Sequence, residues 1–100
     1  MIKIKPEIST FKAPVKVTPF GGEAETITIE FAYMPVSKAM ELAKEKTVGE
    51  VLAEIVKGWD GIDAPFTPEA LADLLDHNPA IGMELFQGFF AAMAETRAKN

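Results

Sequence analysis

The residues that could do chemistry are few. His77 is the only histidine, it directly follows Asp76, and there is no cysteine. A neighbouring imidazole and carboxylate can make a general base or begin a metal site, but zinc coordination draws on further ligands at defined spacing, and none flanks this pair. An imidazole in the last turn of a helix has a simpler task, which is to meet free carbonyls at the negative end of the dipole. Asp60, Asp63, Asp73 and Asp76 could in principle gather a cation. The EF-hand order, with its glycine and distant glutamate, is missing, and turn formation accounts for Asp60 and Asp63. Ser9 and Ser37 are the only serines, and neither lies in a nucleophile motif. Gly21-Gly22 has no GxxxxGK[ST] pattern around it and no strand–loop–helix context, so it makes a turn rather than a phosphate cradle. The expectation is a protein with no catalytic residue, no metal and no cofactor, and hence not an enzyme.

The elements that would position these groups are organised around Thr47 to Asp76. Thr47 and Glu50 form a T-x-x-E capping box, which starts a helix. Val48, Val51, Leu52, Ile55 and Val56 follow at helical spacing and fall within roughly 140° of arc, a single buried stripe. Gly58 suits the left-handed residue that ends such a helix, and Trp59 carries the stripe into a tight turn with Asp60, Gly61 and Asp63. Thr67 as N-cap, Pro68 at the first helical position and Glu69 at the positive dipole end start a second helix. Phe66 and Leu71 have the spacing of a hydrophobic staple, and Leu74 and Leu75 extend the surface. The pattern predicts a helical pair closed at a Trp59/Phe66 corner, and removing either ring, if buried, would cost about 3–5 kcal/mol.

Upstream, Val15 and Val17 alternate with Lys16 and Thr18, Pro19 to Glu23 supply turn chemistry, and Thr26 to Tyr33 alternate with Ile27, Ile29, Phe31 and Tyr33 on one side. Together they predict a β-hairpin over 11–33. Its apolar face requires a cover, from the helices, from a third strand supplied by the N-terminus, or from another copy. Residues 1–10, where isoleucine alternates with lysine before Pro6, read as an arm or an edge strand. Over 37–98 the pattern is helical: Ser37 caps a short helix with Ala39, Met40, Leu42 and Ala43 inward. Asn78 and Pro79 then open a last helix reaching about Ala98. The fold class is α+β, an N-terminal hairpin, with a third strand left open, followed by about four helices in one domain over 1–100.

The last helix carries the most informative pattern. Ile81, Met83, Leu85, Phe86, Phe89, Phe90 and Met93 spread over roughly 200° of its circumference, more than one domain face usually needs. Ile81, Leu85 and Phe89 are assigned to the core, while Met83, Phe86 and Phe90 lie toward an edge open to a partner helix. A second possibility, that a small protein wraps the helix on two sides, stays open at this level.

Composition removes whole classes. Ten Lys/Arg against fifteen Asp/Glu leave a net charge of −5, which opposes binding to a phosphate backbone. The start MIKIKPEIST has no apolar signal core, and no stretch of uninterrupted apolar residues is long enough to span a bilayer. The expected partners therefore exclude nucleic acid and membrane, and the expected location is the cytoplasm.

The run Ile55-Val56-Lys57-Gly58-Trp59-Asp60-Gly61-Ile62-Asp63, with Pro65 to Leu71 and Leu74-Leu75-Asp76 after it, resembles tail assembly chaperones of long-tailed bacteriophages, in particular the small family with a W-[DE]-G core. The likeness extends more loosely to the hairpin and to the last helix with its Arg97-Ala98-Lys99-Asn100 ending, and does not reach Met1 to about Phe11. It implies a non-catalytic role in the host bacterial cytoplasm: binding the aggregation-prone tape measure protein, helping tail tube subunits polymerise around it, and absence from the mature virion. It also implies that a longer form made by ribosomal frameshifting could engage the tail tube protein, and Lys99-Asn100 is compatible with a slippery A-rich run. Gly58, Trp59, Asp60, Gly61 and Phe66 carry the motif and its corner, and a homo-oligomer is compatible with the pattern. The competing reading is a small acidic regulatory or inhibitory module that occupies a basic site on another protein.

Overall fold

The computed structural model describes residues 1–95, so the expected continuation of the last helix to Ala98 and the Arg97 to Asn100 ending lie outside the described residues. The hairpin forms from β1 (Thr10–Val17) and β2 (Glu25–Ala32), paired antiparallel with Phe11, Ala13 and Val15 opposite Phe31, Ile29 and Ile27. Alternation places Ala13, Val15, Val17, Ile27, Ile29 and Phe31 on the buried face, while Lys12, Pro14 and Lys16 face water. Pro14 cannot donate to a ladder, and it is tolerated because β1 is an edge strand. Gly22 donates to the Pro19 carbonyl at 3.0 Å to close the turn, with Gly21 at φ 74° in the third place, where only a residue free of a Cβ sits without strain. Tyr33, expected on the buried side of the strand, lies just past its end, half-buried, and donates its N–H to the Ser9 carbonyl at 2.8 Å.

The third strand comes from an unexpected place. After α1 (Val36–Glu45) and α2 (Val48–Ile55), the chain passes without a loop into β3 (Val56–Asp60), which pairs antiparallel with β2 and gives the sheet order β1-β2-β3. The N-terminal arm supplies no strand before Thr10. Gly58 is correspondingly not a left-handed helix terminator: it lies opposite Glu30 inside β3, and the positive φ angles belong to Gly21 and Gly61. The physical reason is that Ile55 and Val56 are β-branched and suit an extended chain as well as a helix, so pairing with β2 decides the matter. Val56 already has extended backbone while its N–H still donates to the Leu52 carbonyl.

The capping box of α2 is present in full, with the Thr47 hydroxyl accepting from Glu50 N at 3.2 Å and the Glu50 carboxylate accepting from Thr47 N at 3.0 Å. α3 (Pro68–His77) starts as its sequence predicts, Thr67 accepting from Ala70 N at 2.9 Å. In α1 the N-cap is Pro35 and Ser37 makes no cap. Starting earlier, that helix turns Ala39 and Leu42 inward and leaves Met40 61% exposed, outside the narrow stripe. α4 (Pro79–Glu95) closes the structure. α2 and α4 pack on the sheet and α3 packs on both of them, burying Phe31, Ile29, Leu52, Ile55, Leu85 and Phe89 at the centre. Phe31 and Phe89 meet edge-on with ring centroids 5.3 Å apart.

Candidate functional site

Two groups of residues were singled out by sequence, and the fold treats them differently. At the W-D-G corner, Trp59 stands opposite Ile29 in β3, and its indole N–H donates to the Ala64 carbonyl at 2.8 Å. Phe66 meets the indole edge-on, with centroids 5.0 Å apart and planes at 87°. Both rings are half-buried rather than fully buried. Gly61 has φ 109°, and a Cβ there would lie 2.9 Å from Ile27 Cγ2, so conformation and space both demand glycine. Gly58 leaves room for Glu30, whose Oε1 would lie 3.0 Å from an added Cβ and whose Oε2 accepts from the Thr10 hydroxyl at 2.8 Å. Asp60 and Asp63 are exposed at the turn. The corner spends its polar atoms on its own backbone and its rings on each other, which makes it a folding device.

The other group lies on α4. Ile81, Leu85 and Phe89 point inward, as their spacing predicts, and Gly88 approaches β1 so closely that a Cβ would lie 2.9 Å from Val15 Cγ1. Met83 is 47% exposed, and Phe86 and Phe90 are half-buried. The rings form a stair from core to surface, Phe89 to Phe90 at 5.2 Å and Phe90 to Phe86 at 5.4 Å, each edge-on. Such a ridge presents apolar, polarisable surface on a rigid helix, which suits an apolar helical segment of another chain.

Sequence spacing missed the residues that orient α4. Glu84, a polar residue among the apolar ones of α4, accepts from Thr18 N and from the Thr18 hydroxyl, both at 2.8 Å, and so clamps the end of β1 with both carboxylate oxygens. Asn78, read as the N-cap of α4, instead donates its Nδ2 to the Leu74 carbonyl and accepts from Phe20 N with its Oδ1, each at 2.8 Å. It joins the end of α3 to the hairpin turn, while its backbone carbonyl accepts from Ile81 N at 3.0 Å. No local signal could have found these partners, which are 66 and 58 residues apart in sequence.

The remaining titratable candidates are dispersed. Asp73, Asp76 and His77 are exposed, with the His77 Nδ1–H donating to the Asp73 carbonyl at 2.9 Å, the helix-end role its position predicts. Among the described residues no three His, Cys, Asp or Glu side chains are grouped so as to hold a metal ion, and no helix is long and apolar enough to cross a membrane.

No curated protein and no solved structure matches the chain. The family model for phage tail assembly chaperones matches residues 1–100, the N-terminal arm included. The chain therefore belongs to the phage tail assembly chaperone family.

Proposed function

We propose that the protein is a non-catalytic chaperone that covers apolar helical segments of the tape measure protein with the ridge Met83, Phe86 and Phe90. The observation that carries this reading is the incomplete burial of these three side chains on a helix whose inward face is otherwise fully packed. A long client offers many such segments, so weak individual contacts add through effective concentration. Release as tube subunits polymerise along the client then needs no nucleotide. In this reading the protein works in the cytoplasm of the host bacterium, is absent from the finished virion, and reaches the tail tube protein through a longer frameshifted form.

Co-expression with the tape measure protein tests the proposal. The native chain raises the soluble fraction of the client, and the double variant Phe86→Ser/Phe90→Ser, checked for native circular dichroism, loses most of that effect. A client whose solubility is unchanged by the native chain, or equally improved by the folded double variant, overturns the assignment.

A further inference from the structure

The charge of the chain is unevenly placed. Outside residues 46–78 eight lysines and arginines cancel eight carboxylates, while inside that stretch two lysines stand against seven carboxylates, so the whole net charge of −5 belongs there. α2 and α3 supply five of the seven, Glu50, Glu54, Glu69, Asp73 and Asp76, and contain no lysine or arginine. Among the described residues, the ion pair of Lys46 with Glu54, at 3.6 Å, is the only one in this stretch.

The same two helices border an open cleft of about 460 Å³. Gly49, Ala53, Ala72 and Leu75 give it an apolar lining, and the exposed Glu50 and Asp76 stand among them. Gly49, Ala53 and Ala72 are exposed and Leu75 is half-buried, so the lining is open to another chain. A Cβ at Gly49 would meet nothing within 4 Å. Gly49 and Ala53 lie one turn apart, about 6 Å along α2. Side chains this small let a third helix settle into the groove toward the near end of the usual interaxial range of about 8–10 Å. The capping box fixes Glu50 beside the groove, its carboxylate held by the Thr47 N–H.

We infer that this cleft takes a cationic amphipathic helix of another protein, with alanine or leucine along its buried side and lysine or arginine on its flanks. Each exposed ion pair contributes little alone, but the summed field of five carboxylates selects the sign of the incoming helix and speeds its approach. The inference goes beyond the client ridge and does not use Met83, Phe86 or Phe90, so its failure leaves the proposed client surface untouched.

Titration of the full chain with two synthetic helical peptides, followed by amide NMR, tests it. One peptide carries an alanine/leucine stripe flanked by lysines, and the other has glutamate in place of every lysine. The lysine peptide shifts the amides of Gly49, Ala53, Ala72 and Asp76, added salt weakens its binding, and the glutamate peptide binds at least tenfold more weakly. Gly49→Trp, which fills the cleft from a position with free space around it, raises the dissociation constant of the lysine peptide about tenfold or more with native circular dichroism retained. Asp76→Lys weakens the lysine peptide and strengthens the glutamate peptide, a reversal that a merely structural effect of the substitution would not give. Absence of binding at millimolar peptide, equal binding of the two peptides, shifts confined to α4, or indifference to Gly49→Trp overturns the inference. So do cleft amides that move with the concentration of the chain alone, because a second copy is then the occupant.

Discussion

The molecule holds two half-buried aromatic pairs of nearly equal geometry, Trp59 with Phe66 at 5.0 Å and Phe86 with Phe90 at 5.4 Å, and they do opposite things. The first sits where the backbone must turn sharply, is anchored by an indole N–H bonded to Ala64, and is backed by a glycine that tolerates no side chain. The second rides on an uninterrupted helix, with its rings packed in part against the core and in part exposed. The motif that carries the family likeness is thus the one that builds the fold. The surface proposed for a partner is elsewhere, on residues with no motif at all. Aromatic exposure alone does not mark function; what distinguishes the pairs is whether the polar and conformational demands around them are met internally.

This contrast can be broken or sharpened by substitution, and the expected losses of stability fall in order. Phe89→Ala, which empties the centre of the core beside Phe31 and Phe90, costs about 3–5 kcal/mol in urea unfolding. Trp59→Ala costs less, about 2–4 kcal/mol, because the ring is half-buried and the Ala64 carbonyl loses its donor. Gly61→Ala costs about 1–3 kcal/mol, from the left-handed backbone and the approach to Ile27. A Gly61 variant that folded with native stability would remove the structural account of the W-D-G corner.

Thr47→Ala removes the hydroxyl half of the capping box and costs about 0.5–2 kcal/mol. The other half depends on pH. The Glu50 carboxyl is held below its ordinary value of 4.5, mainly by the hydrogen bond from the Thr47 N–H and then by the Thr47 hydroxyl. Because its pKa is depressed in the folded state, its contribution is fully present above the ordinary value and is lost as pH falls through the folded one. The stability difference between the native chain and Glu50→Gln therefore shrinks as the solution is acidified below pH 4.5, and a difference that grew there would contradict the box. Last comes Met83→Ser, expected to change stability by no more than about 0.5 kcal/mol while reducing client protection in co-expression. Loss of protection from Gly61→Ala at full stability, or none from Met83→Ser, would reverse the roles given to the two regions.

What could be read in advance was local. The caps at Thr47 and Thr67 and the start of α4 at Pro79 depend on residues within one helical turn of each other, and all three stand where the sequence places them. The hairpin was equally legible, because alternation and turn residues lie side by side. β3 was not, since Val56 continues a helical stripe and β-branched residues serve either element until a neighbour strand chooses between them. Ser37 offered a hydroxyl for capping, but Pro35 sets the helix start ahead of it. The Glu84 clamp on Thr18 and the Asn78 bond to Phe20 span most of the chain and have no periodic signature. The inward face of α4 was thus predictable from spacing, while the clamps that fix its direction across the sheet were not.

The direct passage from Ile55 of α2 to Val56 of β3 has a consequence for how this protein can change. With no linker to absorb a length difference, one residue inserted there would shift the pairing of β3 with β2 and turn Trp59, which stands opposite Ile29, out into water. The screw of the helix and the pleat of the strand are geared together. Insertions and deletions are therefore expected to accumulate in the arm and at the Pro19–Gly22 turn, and to be purged at this seam.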